Sequence, residues 1–224
     1  MKMNKTTIVL LSLGAITLPA NAGTFANITI DGNFSDWSTI PIAYTDANEG
    51  FTMAPDINTI QFANNATDFF IRITYNQAIN PNAGSGLYFA FDTDETIGTG
   101  FNIYGLSLLG SEVAYQNNTP FQQALGNFNT GAANSGAGIT ISDFNTVTLA
   151  QEFQISRSAV INTATGALLF PNNSFNFTAY TDAGANTDVA GVAGYSFAVP
   201  EPSSVVLLGV FAMAGALRRR RVAG

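Results

Sequence analysis

Asp92, Asp94 and Glu95 are the residues of this chain whose types and spacing best suit chemistry. Asp92 and Asp94 stand two apart, so on an extended strand their side chains share one face. Past the end of a strand such carboxylates converge with backbone carbonyls on a hard cation. Calcium accepts six to eight oxygens in irregular geometry and is the cofactor these residues point to. The spacing is not that of an EF-hand, because no Gly stands at the sixth loop position and no Glu at the twelfth. The plainer reading, a solvated acidic turn that blunts a strand end, stays open beside it. Asp46, Asn48 and Glu49 form a second acidic turn with the same two readings.

Other chemistry is narrowed by what the chain lacks. It has no histidine and no cysteine. This removes the usual general base near neutral pH, the usual zinc ligands and any serine–histidine pair. Paired carboxylates can hydrolyse glycosides, but many pairs are available here and no motif selects one. A noncatalytic protein is therefore expected. No Gly-rich nucleotide loop is present, so no nucleotide cofactor is expected. Between the terminal segments the only cations are Arg72 and Arg157, while of fifteen acidic residues only Glu201 lies outside that region. The middle is thus more acidic than the whole-chain charge of −7 implies, and no nucleic-acid partner is expected. Arg72 and Arg157 each read as structural, paired with carboxylates, with Glu152 or Asp182 as partner for Arg157.

These residues need a scaffold, and the middle of the chain reads as one all-β domain. Alternating or apolar runs predict strands at 25–31, 56–63, 69–75, 87–92, 103–109, 112–116, 121–128, 138–144, 146–153 and 174–181. The cluster 64–68 predicts a turn that joins the second and third of these as a hairpin. Ile71, Ile73 and Tyr75 share one face, and Tyr88 and Phe89 are read as core. Residues 156–161 suggest a short helical turn, and 126–138 a loose loop. Many short strands separated by Gly, Asn and Pro indicate an antiparallel β-sandwich, jelly-roll or immunoglobulin-like. Trp37, the only tryptophan, reads as a core residue, with a sugar-stacking platform as the alternative. Tyr44, Tyr75, Tyr88, Tyr104 and Tyr115 are further sugar-stacking candidates.

Both ends of the chain are addresses. Lys2 and Lys5 precede an apolar run at 8–18, and Ala20-Asn21-Ala22 is a small-x-small site. Residues 1–22 are therefore a secretory signal peptide, cleaved after Ala22 by the Sec export route. At the other end Pro200-Glu201-Pro202 is followed by an apolar run at 205–217 and then Arg218, Arg219, Arg220 and Arg221. As a short hydrophobic helix the run measures roughly 20 Å, against a bilayer core of about 30 Å. It is short for a permanent span and suits a transient stop, with the arginines holding the C-terminus in the cytoplasm. A simple uncleaved anchor is the alternative. The three parts in order resemble the PEP-CTERM sorting tail of exported bacterial proteins. The resemblance implies transient residence in the inner membrane, recognition by exosortase and cleavage near the Pro-Glu-Pro.

A second resemblance runs through the middle. Ile28, Asp31 and Gly32, then Asp36-Trp37 and Pro41, precede Asp56-Ile57 and the stretch 68–73. Phe91-Asp92-Thr93-Asp94, Thr99-Gly100 and the stretch 152–160 follow in order. Together they are similar to family-nine-type carbohydrate-binding and DOMON-like β-sandwiches. That resemblance implies a sandwich that binds sugar or, in DOMON-like members, haem. Haem is not expected here, since Met53 is the only methionine between the terminal segments and histidine is absent. The expected organisation is a signal peptide at 1–22, a sandwich at 23–198 and a sorting signal at 199–224. The expected role is noncatalytic, at the cell surface or in the extracellular matrix, with exopolysaccharide as partner. A structural matrix protein without a discrete ligand is the alternative.

Overall fold

The computed structural model describes residues 21–200 apart from 53, 83–85, 131–133 and 182–186. The expected signal-peptide core, the apolar run at 205–217, Glu201, Pro202 and Arg218 to Arg221 lie outside the described residues. Among the described residues no helix is long and apolar enough to cross a membrane.

The described residues form sixteen strands in chain order. They are β1 (Asn21–Ala22), β2 (Ile42–Thr45), β3 (Ile57–Asn64), β4 (Asp68–Ile79), β5 (Leu87–Asp92) and β6 (Phe101–Asn102). Then come β7 (Gly110–Ser111), β8 (Val113–Gln116), β9 (Thr119–Ala124), β10 (Asn127–Thr130) and β11 (Ile139–Ile141). The last are β12 (Thr148–Ser156), β13 (Val160–Asn162), β14 (Ala167–Leu168), β15 (Ser174–Thr181) and β16 (Ala193–Ser196). A seven-stranded sheet has the order β1-β16-β15-β5-β8-β9-β10, and a five-stranded sheet the order β11-β12-β4-β3-β2. Among the described residues the strands of these two sheets pair antiparallel except for the short β1–β16 contact. The molecule is a β-sandwich.

Period-two alternation builds its core. Phe69, Ile71, Ile73 and Tyr75 of β4 face Phe89 and Phe91 of β5 and Phe175 and Phe177 of β15. The interior is filled by aromatic rings that meet edge to face. Phe153 of β12 meets Phe89 at 4.6 Å and 83°, and Phe62 of β3 meets Phe177 at 5.2 Å and 83°. These contacts lock the two sheets together, since T-shaped pairs add about 0.5–1.5 kcal/mol beyond burial. Tyr88 is buried as expected, but in a second cluster on the outer side of the seven-stranded sheet, because its neighbour Phe89 takes the inner one.

The outer face of the five-stranded sheet is covered as well. The alternating stretch 25–31 is not a strand. It touches the sheet through a single bridge from Phe25 to Asn64 and then runs across the sheet face. Its apolar residues still bury: Ile28, Trp37 and Ile40 pack on Ala63 and Phe70, with Ala26, Ile30 and Phe34 beside them. Ala26 N–H donates to Asn64 O, and beyond it side chains take the place of a ladder. Thr29 N–H donates to Asp36, and Asp31 and Gly32 N–H donate to Glu152 Oε1 at 2.9 and 2.8 Å.

Trp37 sits in the 3₁₀ turn Phe34–Thr39, capped by the Asn33 side chain. It is 1% exposed and donates its indole N–H to Glu152 Oε2 at 2.9 Å. Trp37 is therefore the core residue that the sequence indicates, and its burial rules out the alternative of a sugar platform. Gln61 ties the same flap down by donating to Trp37 O and Ile40 O, and Arg72 donates to Gln61 Oε1 at 2.7 Å. The Arg72 guanidinium lies 5.0 Å from the Phe34 ring centroid.

Other expectations shift locally. Arg157 does not take Glu152, whose oxygens are engaged at the flap. It donates to Asn65 O and Ala66 O and stacks 4.2 Å from the Phe197 ring centroid; Asp182 lies outside the described residues. Residues 103–109 are not a strand but open with the 3₁₀ turn Ile103–Gly105, in which Tyr104 has φ 48°. The run 121–128 splits into β9 and β10 at Gly126, whose φ of 76° makes the tight turn. Residues 156–161 form a turn that leads into β13, not a helix, and 126–138 contains β10 and the turn Ser135–Ala137.

Glu152→Ala would strand the Trp37 indole and two backbone N–H groups. A loss of about 3 kcal/mol in urea denaturation is expected, with Glu152→Gln, which keeps an acceptor oxygen, losing less.

Candidate functional site

Two features of the seven-stranded sheet can do chemistry: an aromatic cleft on its outer face and a carboxylate cluster where β5 ends.

The cleft grows from strand register. Tyr88 of β5 lies directly opposite Tyr180 of β15, so both rings stand on the outer face. They stack at 5.0 Å and 18°. β6 brings Phe101, the turn that follows it brings Ile103 and Tyr104, and β10 brings Phe128. The Tyr104 hydroxyl donates to Thr181 O at 3.1 Å and its ring meets Tyr180 edge-on at 5.6 Å. Tyr104 is 48% exposed and Phe128 42% exposed, so ring surface reaches solvent. The cleft has a volume of about 220 Å³.

The five tyrosine candidates separate here. Tyr88 and Tyr104 line the cleft, Tyr75 and Tyr115 are buried in the main core, and Tyr44 packs half-buried against it. The Tyr75 and Tyr115 hydroxyls are pushed up in pKa by burial alone. Phe101, Phe128 and Tyr180 are absent from the sequence reading. The Tyr180 contribution was readable only with the β5–β15 register in hand.

The second feature is acidic. Asp92 closes β5 and is 0% exposed, whereas Asp94 and Glu95 stand in the exposed turn that follows. The structure brings Asp92 and Asp94 together with Glu112, not with Glu95. One carboxylate oxygen from each of Asp92, Asp94 and Glu112 lies within 4.8 Å of the others. Glu112 arrives because β8 pairs with β5, placing Val113 opposite Phe91 and Glu112 just before it. Thr93 N–H donates to Glu112 Oε2 at 2.8 Å, and Thr96 N–H to Asp94 Oδ1 at 2.9 Å. Burial pushes Glu112 up to about 7; the Thr93 N–H works against this, and the Asp94 and Asp92 charges add to it. Asp92 is also raised, chiefly by burial.

The predicted acidic turn at Asp46, Asn48 and Glu49 gathers a different set. Glu49 groups with Asp56 and Asp188, and Asp46 lies close enough to raise Asp188 by its charge. Asn48 serves the turn by accepting the Gly50 N–H at 2.9 Å. Asp56 and Asp188 were not read as site residues from sequence. Asp188 is pushed up to about 7, first by burial and then by the charges of Asp46, Glu49 and Asp56, against the Ile57 N–H that lowers it.

At the chain end Asn64 grips Ala198 from both sides, donating to its carbonyl at 2.9 Å and accepting its N–H at 2.8 Å. Val199 is then 73% exposed, and Pro200 is exposed. The PEP-CTERM protein-sorting motif matches residues 198–221, so it begins where the packed sandwich stops. The motif marks the chain for export and for membrane-associated sorting by exosortase. No curated protein matches the chain. Two similar solved structures are a carbohydrate binding module family 9 from Caldicellulosiruptor kristjanssonii in complex with cellotriose and in complex with glucose. Each is 9% identical with a TM-score of 0.47 and covers 81% of this chain, and they are themselves covered to 94% and 97%.

Asp188 gives a pH test. Its folded pKa exceeds its unfolded value of about 3.9, so the folded state holds the proton more tightly. Stability falls as pH rises from about 4 through about 7. Melting in chelator should come a few degrees lower at pH 8 than at pH 5, and Asp188→Asn should shrink that difference.

Proposed function

We propose that this chain is a noncatalytic protein of the cell surface or extracellular matrix, which binds carbohydrate through the aromatic cleft of its sandwich. The cleft is the observation that carries the reading. Sugar rings present C–H faces that pack on aromatic rings. Tyr104 and Phe128 supply the exposed ring surface, over a floor made by the buried Tyr88 and Tyr180 rings. A volume of about 220 Å³ is smaller than the ~300–1,000 Å³ of drug-sized sites. It suits a single ring, at a chain end or a branch, better than a long run of polymer.

The sorting motif supports an extracellular partner, and exopolysaccharide is the polymer such a protein meets. The lining of the cleft is aromatic and apolar, the chemistry of packing on a ring face. The rival, a structural matrix protein, draws on Val147 and Leu149, which are 72% and 57% exposed at the start of β12. Such apolar surface favours self-association.

Cosedimentation with the host's own exopolysaccharide tests the reading. Saturable binding is expected, weakened about tenfold or more by Tyr104→Asn and by Phe128→Ala, both partly exposed positions. Absence of binding, or binding that both variants retain in full, contradicts it.

A further inference from the structure

The two acidic clusters differ in how their oxygens are served. Beside β3, Asp56 Oδ2 accepts the Gly50 and Phe51 N–H groups, Asp56 Oδ1 accepts the Asn76 amide, and Asp188 Oδ2 accepts the Ile57 N–H. Both oxygens of Asp56 are thus served by the protein itself; the buried oxygen without a partner beside this cluster, Asp46 Oδ2, belongs to a half-buried residue outside the grouped trio.

At the end of β5 acceptors exceed donors. Thr96 N–H is shared between Asp92 Oδ1 and Asp94 Oδ1, at 3.1 and 2.9 Å. The Thr99 hydroxyl lies 2.9 Å from Asp94 Oδ2, 3.0 Å from Asp94 Oδ1 and 3.3 Å from Glu112 Oε1, and 2.9 Å from Thr96 O. A hydroxyl has one proton and cannot serve them all. Asp92 is 0% exposed, yet its Oδ2 is buried with no hydrogen-bond partner. The Gly110 N–H and the Asn176 amide stand near Asp92 and ease its burial without closing a hydrogen bond to Oδ2. A buried carboxylate oxygen with no donor is costly to keep unless a positive charge meets it.

We infer that Asp92, Asp94 and Glu112 together hold one divalent cation of the calcium type. The ligand class is all oxygen, which suits calcium or magnesium and not zinc. A mutual separation within 4.8 Å is the span that two ligands on one calcium, each at about 2.4 Å, can reach. Magnesium bonds at about 2.0–2.1 Å in a near-ideal octahedron, which a loop of mixed turn geometry is less suited to supply. The cation joins the end of β5 to the start of β8. Glu95, with φ 56° and an exposed side chain, stays outside the site.

Calorimetric titration of the purified full-length protein in mild detergent, after chelation, tests this with calcium and magnesium chloride alone. One saturable calcium site is expected, in the ~10⁻⁴–10⁻³ M range of extracellular modules, with weaker magnesium binding. Asp94→Asn, at an exposed position, and Glu112→Gln should each weaken calcium at least tenfold. Glu95→Gln and Glu49→Gln should leave it unchanged. Calcium should also raise the melting temperature of the parent chain and not that of Asp94→Asn. No calcium binding by the parent overturns the inference. So does binding that survives both Asp94→Asn and Glu112→Gln, or that is lost in Glu49→Gln instead. The titration contains no glycan, so its result and that of the carbohydrate reading stand apart.

Discussion

Glu152 is the residue on which the arrangement depends. It is a fully buried carboxylate in the middle of β12, and it receives the Trp37 indole and the N–H groups of Asp31 and Gly32. Arg72, opposite it on β4, contributes a positive charge nearby and spends its own hydrogen bond on Gln61. Gln61 in turn holds the carbonyls of Trp37 and Ile40. Three neighbouring strands thus hold one irregular segment, which closes the outer face of the five-stranded sheet. With that face sealed and the inner faces packed on each other, the outer face and strand ends of the seven-stranded sheet remain for function. The cleft and the acidic cluster both lie there.

The sequence revealed most where contacts are local. The hairpin of β3 and β4, with its turn at 64–68, follows from alternation and turn chemistry, as do β5 and β15. The stretch 25–31 shows why alternation alone is insufficient. Ile28 buries against the face of a sheet, and a residue that packs on a sheet leaves the same apolar signature as one that belongs to it. Residues 103–109 failed for a different reason: Tyr104 adopts positive φ, which the apolar pattern does not encode. At the acidic site, Asp92 and Asp94 were visible from their spacing. Glu112 was not, because only the pairing of β5 with β8 carries it there. The cleft was half visible, through Tyr88 and Tyr104, while Tyr180 and Phe128 reach it across strands distant in sequence.

Sorting and folding meet at a sharp boundary. Asn64, itself buried, fixes Ala198 on both sides, and the next residue is in solvent. No spacer separates the packed domain from the sorting motif that starts at residue 198. The first residue of the motif is thus fixed to the sandwich, and the exposed Val199 and Pro200 lead away from it. The acidity of the middle region fits the same setting, since a strongly negative domain resists adsorption to anionic lipid while divalent cations can still bridge it.

The central claim is that the outer aromatic cleft is where this protein meets carbohydrate. Backbone-amide NMR of the isotope-labelled protein, titrated with oligosaccharides cut from the host's own exopolysaccharide, addresses it most directly. The account predicts saturable shifts confined to residues around Tyr88, Tyr104, Phe128 and Tyr180. Shifts centred elsewhere on the sandwich, or none at millimolar sugar, would contradict it.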